Sequence, residues 1–142
     1  MARHVVIRER TVRQLKGQGL GLARLKKTGE IDRLVGKWCD APDLSTGPLE
    51  TRPDRGEPVG VLRFATAGDF EPGAFVRNGT IAGFDIDLAS RIASELNLRL
   101  EIVQVNVSAL VPAVQSGKAD MGGGCITITD ERSEKVDFSD CY

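Results

Sequence analysis

Arg132 is the residue of this chain whose type and place most invite a chemical explanation. It follows Gly122-Gly123-Gly124-Cys125-Ile126-Thr127-Ile128-Thr129-Asp130-Glu131. Glycines let a backbone approach a bound molecule closely. Thr127 offers a hydroxyl. Thr129 is a good helix N-cap, and Asp130 and Glu131 are the acids a first helical turn prefers. A cation next in line opposes the helix dipole, so propensity does not account for Arg132. A planar guanidinium beside free N–H groups would suit a carboxylate bound through two hydrogen bonds. The plainer alternative is a surface arginine paired with Glu131, Glu134 or Asp137.

A second loop, residues 67–80, carries Asp69, Phe70 and Phe75. The two aromatics could form a wall over a ligand's side chain, or anchor the loop to the core. Asp69 could bind an ammonium or cap a turn. Asp85 and Asp87 suggest paired carboxylates for acid–base work. However, they open a helix, where acids are favoured anyway, and their i, i+2 spacing points them to different faces. No Ser/His/Asp or Cys/His arrangement stands out. The three glycines lack the Lys-Ser/Thr of a phosphate loop, which argues against a nucleotide. His4 is the lone histidine, and Cys39, Cys125 and Cys141 form no C-x-x-C pair. That pattern argues against a metal site and against a complete disulfide framework. No cofactor is implied.

The elements that must position these residues follow from periodicity. Val5-Val6-Ile7 reads as a short strand, and 11–27 as a helical region weakened by Gly17, Gly19 and Gly21. Ile31, Leu34, Val35 and Trp38 fall at i, i+3, i+4 and i+7, one face of a helix. Residues 40–60 hold four of the six prolines and read as a linker. From Val61 the pattern alternates. It predicts a strand over 61–66, a Gly/Pro loop to Ala82, a helix over 85–96 and a strand over 98–105. A short helix from Ser108 closed by Gly117 and a third strand over 119–122 complete it. This order implies an α/β fold with a parallel sheet, and ligands then sit beyond the carboxyl ends of the strands. Both chemistry-bearing loops leave from that edge.

The chain has 142 residues, enough for one ordinary core, with 41% hydrophobic and 27% charged residues. No apolar run approaches the roughly 20 residues of a membrane span. The first residues lack the apolar core of a secretory signal, and an internal fragment is the expectation. Net charge is −1, but residues 1–37 carry ten Lys/Arg against three Asp/Glu, while 38–142 carry nine against seventeen. A basic arm for nucleic acid would show such asymmetry. So would two parts that dock and neutralise each other, the preferred reading because the basic residues interleave with apolar ones at helical spacing.

Residues 61–142 resemble the family 3 extracytoplasmic solute-binding proteins, the polar amino-acid receptors of ABC importers. The pieces that carry the resemblance are Leu62-Arg63-Phe64-Ala65-Thr66, Gly83-Phe84-Asp85-Ile86-Asp87-Leu88-Ala89, Leu110-Val111-Pro112-Ala113-Val114-Gln115-Ser116-Gly117-Lys118-Ala119-Asp120, and Ile128-Thr129-Asp130-Glu131-Arg132 with Val136-Asp137-Phe138-Ser139-Asp140. The resemblance implies the first lobe of a periplasmic-binding-protein type 2 fold, with the second lobe absent. It implies that Arg132 binds a ligand α-carboxylate, that Thr127 and the backbone near Cys125 donate beside it, and that Phe70 packs on the ligand. Ala67 falls where receptors for basic amino acids tend to carry an acid, which argues for a polar or neutral ligand. Residues 22–38 look like the closing helices of the same family. The implied organisation is the tail of one binding domain (1–39), a linker (40–60) and the first lobe of a second (61–142).

The partners implied are an amino acid and an ABC permease in the intact protein, outside the inner membrane, with no nucleic acid and no metal. A lone lobe lacks half the contacts, so weak or no binding is the expectation; each tenfold loss is about 1.4 kcal/mol. Two alternatives remain: a lobe of a cyclohexadienyl dehydratase-like enzyme, since 66–70 is similar to the first loop of those enzymes, and a sensor domain of a larger receptor. A physical expectation accompanies them. Residues 5–39 are expected to dock onto 61–142, on their charge complementarity and the amphipathic face of 31–38, and a linker of about 20 residues, spanning about 25 Å, permits the return.

Overall fold

The computed structural model describes residues 5–7, 22–40, 56–124 and 126–139. The described elements run β1 (Val6–Ile7), α1 (Leu22–Lys27), α2 (Glu30–Val35) with a π-helical turn at Gly36–Asp40, and β2 (Val61–Thr66). Then come β3 (Asp69–Phe70), β4 (Ala74–Arg77), β5 (Thr80–Ala82), α3 (Phe84–Glu95) and β6 (Arg99–Gln104). α4 (Val107–Ser116), β7 (Met121–Gly122), α5 (Asp130–Ser133) and β8 (Asp137–Phe138) complete the order.

The strands β2, β6 and β7 are parallel, as the alternating pattern predicts. β2 pairs with β6 from Val61↔Arg99 to Thr66↔Gln104, and with β7 at Phe64↔Met121 and Ala65↔Gly122. The sheet is nonetheless mixed. Its order is β6-β2-β7-β1-β8, and β1 is antiparallel to both of its neighbours. β8 therefore runs in the direction of β2, and β1 alone is reversed.

Side chains of β2 alternate between two cores, as a sheet covered on both faces requires. One core gathers Leu62, Phe64 and Met121 with Phe84, Ile86, Leu88 and Ile92 of α3, and with Leu25, Ile31, Leu34 and Trp38 of the N-terminal segment. The other gathers Ala65 with Leu110, Val111 and Val114 of α4, plus Ile126 and Val136. α3 is buried on more than one side because α2 covers its outer face. In α2 and the π-helical turn after it, Ile31, Leu34 and Trp38 face inward as expected, whereas Val35 is exposed.

Residues 67–82 were expected to be a Gly/Pro loop; part of that stretch instead forms a three-stranded antiparallel sheet, β3-β4-β5. The cause is local. Asn78 (φ 50°) and Gly79 (φ 76°) both take the left-handed conformation, the tight turn that matches the twist of a hairpin. The hairpin feeds directly into α3. Here Phe84 N–H donates to Pro72 O and Asp85 N–H to Gly73 O, each at 2.8 Å, satisfying amides that a helix start leaves over. Gly83 is required between them: its φ is 133°, and a Cβ there would stand 2.3 Å from Gly73 O. Downstream, Gly117 closes α4 with φ 82°, as its position predicts. Among the described residues, no helix is long and apolar enough to cross a membrane.

Candidate ligand site

Three strand ends set the site. β2, β6 and β7 finish side by side, and their backbones stay joined past the ladder: Gly123 N–H donates to Ala65 O at 3.1 Å and Val105 N–H to Thr66 O at 3.0 Å. The loops that follow β2 and β7 thus leave from adjacent strands at the carboxyl edge of the sheet, where open parallel sheets bind ligands.

The loop after β7 carries Thr127 and Arg132. Thr129 caps α5 as expected, its Oγ1 accepting from Arg132 N–H at 3.2 Å. The Arg132 side chain is half-buried and folds back over its own loop, where Nη1 donates to Thr127 O at 2.8 Å. Glu131 pairs with Lys135 at 2.6 Å, and that hydrogen bond, with the Lys135 and Arg132 charges, holds the Glu131 carboxyl below the usual carboxylate range. Among the described residues, no carboxylate forms an ion pair with Arg132. The surface-pairing alternative therefore does not describe this side chain. Thr127 is exposed, and Cys125 lies outside the described residues.

The loop after β2 carries Asp69 and Phe70, both exposed, with Phe70 at 39%. Phe75 does not stand with them. It is buried, edge-on to Trp38 with ring centroids 5.9 Å apart, and the Arg77 guanidinium lies 5.5 Å from its ring. The anchor alternative describes it: Phe70 is opposite Ala74, so Phe75, one residue further on, projects to the other face of the hairpin from Phe70. Phe70, Asp69, Thr127 and Arg132 are thus gathered on two loops of one sheet edge, and Phe75 belongs to the core beneath.

Asp85 and Asp87 do serve different faces. Asp87 accepts from Lys37 Nζ at 2.7 Å and Trp38 Nε1 at 2.8 Å. Asp85, 2% exposed, lies between the two loops: a Cβ on Gly73 would be 2.9 Å from its Oδ2, and one on Gly123 would be 3.6 Å from its Cγ. Sequence reasoning weighed Asp85 as one of a carboxylate pair and read it as a helix-opening acid. It passed over Thr66, whose hydroxyl is fully buried at the end of β2 without a hydrogen-bond partner among the described residues. A polar residue closing an apolar strand was the available signal.

Residues 62–142 match the bacterial extracellular solute-binding proteins, family 3. A probable histidine-binding protein of Campylobacter jejuni is 37% identical over 81 residues, which are 57% of this chain and 32% of that protein. A cyclohexadienyl dehydratase of Pseudomonas aeruginosa is 36% identical over 94 residues, 66% of this chain and 35% of that one. Other relatives are named for arginine or glutamine binding. Among solved structures, the arginine-bound form of domain 1 from TmArgBP, the T. maritima protein, superposes with a TM-score of 0.51 at 41% identity, covering 53% of this chain and 60% of that one. The chain spans about a third of the length of the curated relatives it matches. The fold is a lobe of the periplasmic-binding-protein type 2 kind. The chain belongs to the bacterial extracellular solute-binding proteins, family 3.

Proposed function

We propose that this chain contributes an amino-acid-binding lobe to the substrate-binding component of an ABC importer, working outside the cytoplasm with a permease as partner. The observation that carries the reading is the guanidinium of Arg132. It is held by one carbonyl, that of Thr127, and no acid pairs with it among the described residues although Glu131 and Glu134 stand close in sequence. A fork anchored in this way keeps donors for the α-carboxylate of a ligand. Thr127 and the backbone at Cys125 donate beside it, Phe70 packs on the ligand's side chain, and Asp69 faces its ammonium. Ala67 favours a polar or neutral side chain. The relatives named for histidine, arginine and glutamine supply the comparison ligands.

The test is calorimetry of the longer parent protein with glutamine, histidine and arginine, repeated on Arg132→Ala. Loss of a charge-assisted bidentate contact costs about 2–5 kcal/mol, so binding should fall below detection. Unchanged affinity would refute the role. By itself this lobe is expected to bind weakly, in the millimolar range or about −4 kcal/mol. The arginine-bound form of domain 1 from TmArgBP supports some binding by one domain.

One observation favours a second reading. The similarity to cyclohexadienyl dehydratase extends over 94 residues, against 81 for the histidine-binding relative. Release of phenylpyruvate from prephenate by the parent protein would support that enzyme; binding of an amino acid without turnover would exclude it.

A further inference from the structure

Residues 5–7 and 22–40 lie outside the segment that matches the family, 62–142, yet they touch the bases of both candidate loops. β7 and β8 are the two stems of the excursion that carries Thr127 and Arg132. No ladder joins them to each other; β1 stands between. Val6 is opposite Gly122 on one side and Phe138 on the other, and Ile7 is opposite Met121 and Asp137. Beyond the ladder, Val5 N–H donates to Ser139 Oγ and Ser139 N–H to Val5 O, both at 2.9 Å. The stems therefore stand two strand spacings apart, about 9.5 Å, a gap that only a strand fills.

The other loop is braced through Trp38. Its Nε1–H donates to Asp87, which also holds Lys37, and the Lys37 ammonium lies 5.0 Å from the indole centroid. Fixed in this way, the indole meets Phe75 edge-on. Phe75 pairs with Asp69 and Ala74 with Phe70, so the ring that Trp38 holds belongs to the hairpin that presents Asp69 and Phe70.

We propose that residues 5–7 and 22–40 are the positioning element of the ligand site. β1 sets the separation of the stems that bear Thr127 and Arg132, and Trp38 sets the hairpin that bears Asp69 and Phe70. The two braces act on different loops, so each can be loosened separately. Substitutions in a segment that touches no ligand are then expected to change affinity. The inference rests on the site proposed above, but its test needs no ligand.

The experiment is hydrogen exchange on the ligand-free chain. Val6→Pro removes a ladder N–H from a central strand. Ile7→Ala, a milder change at a buried residue, carries the test if the proline variant does not fold. Either is expected to speed exchange at least tenfold at Glu134, Lys135, Val136 and Ser139 while leaving 74–82 unchanged. Trp38→Leu is expected to do the reverse, and Trp38→Phe, which keeps the ring, to do so more weakly. Uniform acceleration across both segments, or no acceleration in a folded variant, would overturn the proposal. Failure of amino acids to bind the parent protein would count against the site assignment and leave this exchange pattern as it is.

Discussion

Arg132 and Glu131 are sequence neighbours with opposite circumstances. Glu131 is satisfied by Lys135 one turn on, and its carboxyl is held below the usual range by that hydrogen bond. Lys135→Met is therefore expected to raise the Glu131 pKa toward the ordinary value, read by carboxyl carbon shifts during an acid titration. The sign of the linked stability follows. A carboxyl depressed in the folded state contributes above its unfolded pKa, and that contribution is lost as pH falls through the lowered one. The pair is solvent-exposed, so the effect on unfolding is expected to be small. Arg132 is different: its single described side-chain bond is to a backbone carbonyl. Its oddity against the helix dipole was legible in the sequence, as was the Thr129 cap. The inward turn of Phe75 was not, since a loop aromatic and a core aromatic look alike until strand pairing decides the side.

At the scale of elements, α3 is the hub. Its first turn receives the hairpin through Pro72 and Gly73 carbonyls and the N-terminal segment through Asp87. Gly83→Ala is expected to destabilise the chain by more than the roughly 1–3 kcal/mol of backbone strain alone, because the new Cβ also collides with Gly73 O. Trp38→Ala is expected to cost about 3–5 kcal/mol from the cavity, and to leave Asp87 without one donor. Urea denaturation measures both. The hairpin reads as loop in the sequence, although Asn78-Gly79 is a strong short-range turn signal. The reason is that β3 and β5 are two and three residues long, too short for period-two alternation to register.

For the whole molecule, the N-terminal segment is part of the lobe. Its basic residues meet acids of the remainder at Lys37–Asp87 (2.7 Å) and Arg24–Glu95 (3.8 Å), with Arg91 returning to Glu30 at 3.4 Å. Two of the segment's basic residues, Arg24 and Lys37, thus pair with acids of the remainder, while Arg3, Arg8, Arg10, Arg13 and Lys16 lie outside the described residues. The segment also buries Val5, Ile7, Leu25, Ile31, Leu34 and Trp38. At about 1.5–3 kcal/mol for each of these six side chains, roughly 9–18 kcal/mol in all, this burial is comparable to the roughly 5–15 kcal/mol by which whole domains are stable. Deleting residues 1–40 is therefore expected to abolish cooperative thermal unfolding by calorimetry. A truncated chain with an unchanged transition would show that the docking contributes nothing.

Local pattern was enough to read the parallel strand-helix alternation, the caps at Gly117 and Thr129 and the family to which residues 62–142 belong. These depend on neighbours within a few residues, or on motifs that survive in any packing. The reversed central strand and the bracing of both loops emerged only from the packed molecule. They join residues far apart in the chain, 134 positions between Val5 and Ser139 and 49 between Trp38 and Asp87, and two residues of strand carry no signature of their partners until the chain has closed around them.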